Sequence, residues 1–238
     1  MKTLFQRFFR YFIQTKVFLA LSVCFALIVY AQRPPSLKTV KADAEKGIAV
    51  AQYQLGAMYA AGQGVTNDFM EAVKWIRLAA DQGLPIAQNN LGGLYFSGRG
   101  VPENLQEAAK WYQKAADQGL VSAQLFLGWM HATGRGVERN LKEGLKWYQM
   151  AAEQGNKEAQ YNVGILHLSG DEIKIDYVEA YKWINLAAAQ GYTNAIKYRF
   201  QMTATMTQEQ IKEGQQKAAQ FKATQQGTNA NPATPKKP

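Results

Sequence analysis

Apolar residues recur at Ala72, Trp75, Ile76, Ala79 and Ala80, the i, i+3, i+4, i+7, i+8 spacing of an amphipathic helix with tryptophan at the widest point of its stripe. The stripe returns around Trp111, Trp147 and Trp183 at a fixed step of 36 residues. An unbroken step of that kind marks a tandem array. Ahead of each stripe, apolar positions such as Leu55, Met58 and Tyr59 match one face of a first helix. The pattern predicts helical hairpins stacked on their neighbours, an elongated all-α domain without a single globular centre.

Local signals divide each unit. The pairs Asp68-x-x-Glu71, Asn104-x-x-Glu107, Asn140-x-x-Glu143 and Asp176-x-x-Glu179 open every second helix. The Asp or Asn is expected to accept the free N–H three residues on, while the Glu reaches back and complements the helix dipole. These carboxylates are thereby assigned to structure. Gly62-x-Gly64-Val65 joins the two helices, and Gly83 stops the second one. Gly56, Gly92, Gly128 and Gly164 stand inside first helices, where each costs about 1 kcal/mol relative to Ala. Close approach of the paired helices is the expected compensation. In repeat four, Gly170-Asp171-Glu172-Ile173 replaces Gly-x-Gly-Val. Glu172 is ill suited to a positive φ, so a changed loop is expected, either as a contact site or as drift.

The combination Ala-x3-Leu-Gly-x2-Tyr, Gly-x-Gly-Val and Lys-Trp-Tyr/Ile-x-x-Ala-Ala-x-Gln-Gly resembles the Sel1-like repeat family, itself similar to tetratricopeptide repeats. The resemblance implies a right-handed α-solenoid. It divides the chain into a cap half-repeat (37–50), repeats at 51–86, 87–122, 123–158 and 159–194, capping helices at 195–222 and a polar, disordered tail at 223–238. Met206-Thr207-Gln208-Glu209-Gln210-Ile211 carries the Thr cap and Gln of a final helix start.

Composition narrows the function. Cys24 is the only cysteine, so disulfides, thiol nucleophiles and cysteine metal sites are excluded from residues 32–238. Lys2, Arg7, Arg10 and Lys16 flank the uncharged run Val17 to Ala31, the pattern of an export signal. The alternative is an uncleaved inner-membrane anchor over residues 17–31, the one way a membrane enters. Without residues 1–31 the formal charge falls from +9 to +5. Lys74, Lys110, Lys146 and Lys182 each follow a Glu by three residues, a self-neutralising helix face rather than a nucleic-acid patch.

No catalytic or metal constellation stands apart from the repeat, and no cofactor is expected. His131 and His167 occupy the column of Tyr59 and Tyr95, which implies a core role. Recognition in a solenoid falls at positions that vary between repeats. In the resembling families first helices line the concave side, which here puts Tyr53, Gln54, Asn89, Asn90, Phe126, Trp129, Tyr161 and Asn162 on a partner-binding groove. Trp129, the one tryptophan off the repeat column, is expected either to join Phe126 and Tyr161 in an aromatic anchor or to fill a gap beside Gly93. Gln54, Asn90 and Asn162 form an amide row suited to an extended backbone. The expectation is a monomeric, non-enzymatic, periplasmic or secreted scaffold that binds a protein or peptide. The alternatives are a cell-wall or β-lactam hydrolase, as in cysteine-rich relatives, and a polysaccharide-handling scaffold.

Overall fold

The computed structural model describes residues 36–229. The export or anchor segment expected at 1–31 lies outside the described residues, as does the end of the chain from residue 230. Among the described residues there are helices and no strands. Helix α1 (Leu37–Glu45) precedes four hairpins of two 13-residue helices each: α2 (Ala49–Ala61) with α3 (Phe69–Asp81), α4 (Pro85–Ser97) with α5 (Leu105–Asp117), α6 (Val121–Thr133) with α7 (Leu141–Glu153), and α8 (Lys157–Ser169) with α9 (Tyr177–Ala189). Two further helices, α10 (Thr193–Thr203) and α11 (Gln208–Asn229), end the array. First helices begin two residues ahead of the 51–86 frame and its successors, because the buried Ala column that suggested the frame is the third residue of each helix.

The capping residues act as the sequence predicts, with one difference. Asp68, Asn104, Asn140 and Asp176 accept from the N–H of the Glu three residues on, at 2.9–3.1 Å. The glutamates do not reach back. Each cap's own N–H already donates to a carbonyl in the last turn of the first helix, as Asn104 does to Tyr95 at 2.9 Å, which closes the inter-helix loop. The glutamates pair with lysine instead, Glu107 with Lys110 at 2.6 Å. A full reciprocal box forms at the start of α11, where Thr207 and Gln210 exchange bonds of 3.0 and 3.2 Å.

Glycine sets the distance within a hairpin. A Cβ on Gly56 would lie 2.6 Å from the Ile76 side chain, and one on Gly128 would lie 2.7 Å from the Tyr148 ring. Each tryptophan then seals the core between its own first helix and the preceding second helix. Trp111 joins Ile76, Leu91 and Leu94, and Trp147 joins Tyr112, Leu127 and Met130.

A buried polar ladder runs through these cores. Gln52, Gln88, Gln124 and Gln160 are at most 5% exposed. Gln88 donates to the Ala80 carbonyl at 3.1 Å and accepts from Gln118 at 2.7 Å, so its side chain ties together three successive helices. Gln52, Gln124 and Gln160 make the equivalent pair of bonds.

Turns bind each repeat to the one before it. Gly136 has φ 77° and presses on the Leu105 carbonyl at the start of α5, leaving no room for a Cβ. Glu172 holds the same column in repeat four, where every positive φ among the described residues belongs to glycine. The expected strain is therefore absent, and the altered turn is a contact. Glu172 accepts from the Leu141 N–H at 2.8 Å at the start of α7, and Arg139 bonds Asp171 at 2.6 Å.

The C-terminal end departs from the expected boundary. Helix α11 runs through residue 222 to Asn229 instead of yielding to a polar tail, because it is docked. Phe221 meets Trp183 edge-on at 5.2 Å, and Gln225 donates to the Glu153 carbonyl at 3.1 Å. This docking covers the lysine face of α9, leaving Lys182 16% exposed where Lys110 is 68%.

His131 and His167 stand in the tyrosine column half-buried, beside the core clusters rather than within them. Both ring nitrogens of His167 are buried without a hydrogen-bond partner. Burial lowers its pKa from 6.5; Glu179 and Asp176 pull the other way and Lys182 adds to the lowering. The unfolded chain therefore binds the proton first as pH falls, so the stability linked to this group is full above about pH 6.5 and declines below it.

Three measurements check this account. Gly128→Leu forces a side chain into Tyr148 and is expected to cost about 1–3 kcal/mol, a fall in Tm of roughly 2–10 °C by circular dichroism. Gln124→Leu removes the bonds to the Ala116 carbonyl and from the Gln154 amide, both of which keep other partners, at a cost of about 0.5–1.5 kcal/mol for each bond; an unchanged melt contradicts the ladder. Lowering pH from 7.5 to 5 reduces Tm, and His167→Tyr, the residue of repeats one and two, makes that reduction smaller.

Candidate functional site

First helices form a wall of unusual composition. Helices α2, α4 and α6 contain no Asp, Glu, Lys or Arg, whereas every second helix carries several. The charged lysine columns and α11 both lie on the second helices, so α11 docks away from the first-helix wall.

The amide row is partly occupied by bonds within the wall. Asn90 donates to the Tyr53 hydroxyl at 2.9 Å. Asn89 donates to Asn90 at 3.3 Å and accepts from Ser122 at the same distance, which links the first helices of repeats one to three. Gln54 is exposed. Tyr161 does not join Phe126 and Trp129. It packs against Tyr192 at 5.4 Å and Tyr198 at 6.2 Å on the side of α10, and burial together with these neighbours raises its pKa.

Phe126, Trp129 and Asn162 do come together, in a cleft of about 440 Å³ between α6 and α8. Phe126 stacks on Tyr112 at 5.1 Å and 14°, yet is 41% exposed. Trp129 meets Phe96 edge-on at 5.6 Å. It does not fill a gap beside Gly93, since a Cβ there would meet only the Tyr112 hydroxyl within 4 Å. Burial pushes Tyr112 up to about 12, and burial with the nearby Glu158 charge raises Tyr148 further, so both phenols stay neutral.

Leu125, Phe96, Tyr148, Arg135 and Glu158 complete the cleft and were not among the groove residues expected from sequence. Phe96 ends the preceding first helix, Tyr148 rises from the second helix beneath, and Arg135 sits in the turn. Only the turn arginine carried a signal, as the residue flanked by Gly134 and Gly136. The guanidinium of Arg135 lies 5.1 Å from the Phe96 centroid and 5.2 Å from Trp129. The site offers aromatic surface, one amide and a charge of each sign. Among the described residues no group of three or more His, Cys, Asp or Glu could hold a metal ion, and no helix is long and apolar enough to cross a membrane.

Comparisons with known proteins agree with this architecture. A Sel1 repeat protein from Oxalobacter formigenes is 34% identical with a TM-score of 0.66, the alignment covering 81% of this chain and 78% of that one. A protective antigen of uropathogenic Escherichia coli displaying an SLR fold is 41% identical with a TM-score of 0.66 over 68% of this chain, which spans only 35% of the antigen. No curated protein matches the chain. Sel1 repeat proteins generally mediate protein–protein interaction. The Sel1 repeat model matches residues 49–84, 85–120, 121–156 and 157–192, the four hairpins in full, and the chain belongs to the Sel1 repeat family.

Proposed function

We propose that this protein is a non-catalytic, monomeric scaffold of the cell envelope that binds a polypeptide along its first-helix wall, centred on the cleft at Trp129. The observation that carries this reading is the contrast between the two sides of the array. One side is self-neutralised by lysine–glutamate pairs and partly covered by α11; the other is uncharged through three repeats and opens into an aromatic cleft. Uncharged walls with aromatic anchors and side-chain amides suit an extended segment, the amides meeting its backbone and the cleft taking a side chain. The basic-then-apolar pattern of residues 1–31 supports export to the periplasm or beyond.

Trp129→Ala combined with Asn162→Ala tests the reading. Cross-linking in an envelope extract followed by mass spectrometry is expected to give polypeptide partners of the wild-type chain that the double variant loses. The weakening corresponds to about 2 kcal/mol or more at a central anchor, roughly 30-fold in affinity. Retained partners at wild-type level would defeat the assignment, and turnover of a β-lactam or of peptidoglycan by the wild-type chain would defeat the non-catalytic one.

A further inference from the structure

Arg135 and its column neighbour Arg99 differ from Arg77, Arg139 and Arg199 in how their donors are used. Arg77 donates to the Tyr95 hydroxyl, Arg199 donates to Asn185 at 2.9 Å, and Arg139 is paired with Asp171 and Glu172. Arg99, one repeat earlier in the column of Arg135, lies 5.5 Å over Phe69 outside the cleft. Arg135 lies over the Phe96 and Trp129 rings at the end of the cleft, and its side chain has no hydrogen-bond or ion-pair partner among the described residues. A guanidinium that rests over aromatic rings and bonds no side chain keeps N–H groups available to a planar acceptor.

The opposite end of the cleft has the opposite sign. Glu158 is the second residue of α8, where the helix dipole favours a carboxylate. Arg135 follows the end of α6, so the two charges stand at opposite ends of helices about 20 Å long. Between them lie Trp129, Phe126 and Asn162. The cleft is therefore polar along its length and apolar across it.

We propose that the cleft receives an aromatic side chain and a carboxylate from the same polypeptide segment, the ring seated against Phe96, Phe126 and Trp129 and the carboxylate bonded by Arg135. This rests on the polypeptide-binding reading above and names the chemistry of the partner. A residue in an extended chain advances about 3.3 Å, so the acid falls within two residues of the ring. Glu158 repels a second carboxylate and fixes the direction of the segment, with its acidic end towards Arg135. One cation at one end of the cleft, with Glu158 at the other, suits one carboxylate and not the repeated phosphates of a nucleic acid.

A random heptapeptide library displayed on phage and selected on the full chain tests the proposal. The expected result is enrichment of peptides with Asp or Glu within two residues of an aromatic. A synthetic representative then loses affinity by about tenfold or more when its acid becomes the amide. Arg135→Gln loses as much and no longer distinguishes the two peptides. Arg135 is exposed, and an unchanged melting curve for the variant shows that folding is not the cause. Aromatic peptides enriched without an acid, weakened by Trp129→Ala but not by Arg135→Gln, overturn the carboxylate pairing and leave the groove reading intact. Failure to enrich any peptide, or enrichment indifferent to Trp129→Ala, overturns both.

Discussion

A buried amide bonded on both sides is the constraint that the array rests on. Apolar contact alone is non-directional, and alanine-rich stripes slide past one another at little cost. Gln124, 1% exposed, removes that freedom because it must find the Ala116 carbonyl behind it and the Gln154 amide ahead of it in the same packing. A shifted stack would leave an amide buried without partners, at a cost of about 1–3 kcal/mol for each group. With the offset between hairpins fixed, the first helices line up into one wall, and residues 36 positions apart become neighbours.

The same requirement explains the ends. At the start of the described residues α1 supplies the Ala44 carbonyl for Gln52, so the first ladder step is complete although α1 has no hairpin partner among those residues. At the C-terminus Gln160 receives Gln190, and the ladder then stops because its next column holds Ile196. The glycine column stops there too, with Phe200 79% exposed where close helix approach would need glycine. Helix α11 cannot pack on α10 as a second helix and docks on α9 through Phe221 and Gly214. Termination thus sends the last helix to the lysine face and away from the first-helix wall.

How much was legible follows from which signals are local. Repeat length, helix starts and glycine stops are set by residues within a few positions of one another, and the sequence carries them openly. The glutamine ladder was in plain view at a step of 36, yet polar residues beside an apolar stripe read as surface, and only the neighbouring helices bury them. Glu172 looked like strain because its column is read from glycine; its role depends on the Leu141 N–H of the preceding repeat. Tyr161 and Asn90 were placed on the correct helices, but their partners, Tyr192 at the start of α10 and Tyr53 one repeat earlier, lie on other helices.

The position of the cleft also has a cause in the pairing of helices. Opposite the mid-helix glycines the second helices carry Ile76, Tyr112, Tyr148 and Ile184, tyrosine in the central repeats and isoleucine in the outer ones. Glycine lets a tyrosine ring lie flat across the first helix, and the Tyr112 hydroxyl comes within 3.5 Å of a Cβ on Gly93. There its ring supports Phe126 from below, and Tyr148 repeats the arrangement as part of the cleft floor. Isoleucine ends too soon to reach the wall. The residue that allows the hairpin to close is therefore also the one that lets an aromatic floor rise from the layer beneath, and it does so only in the two central repeats, which have a repeat on either side.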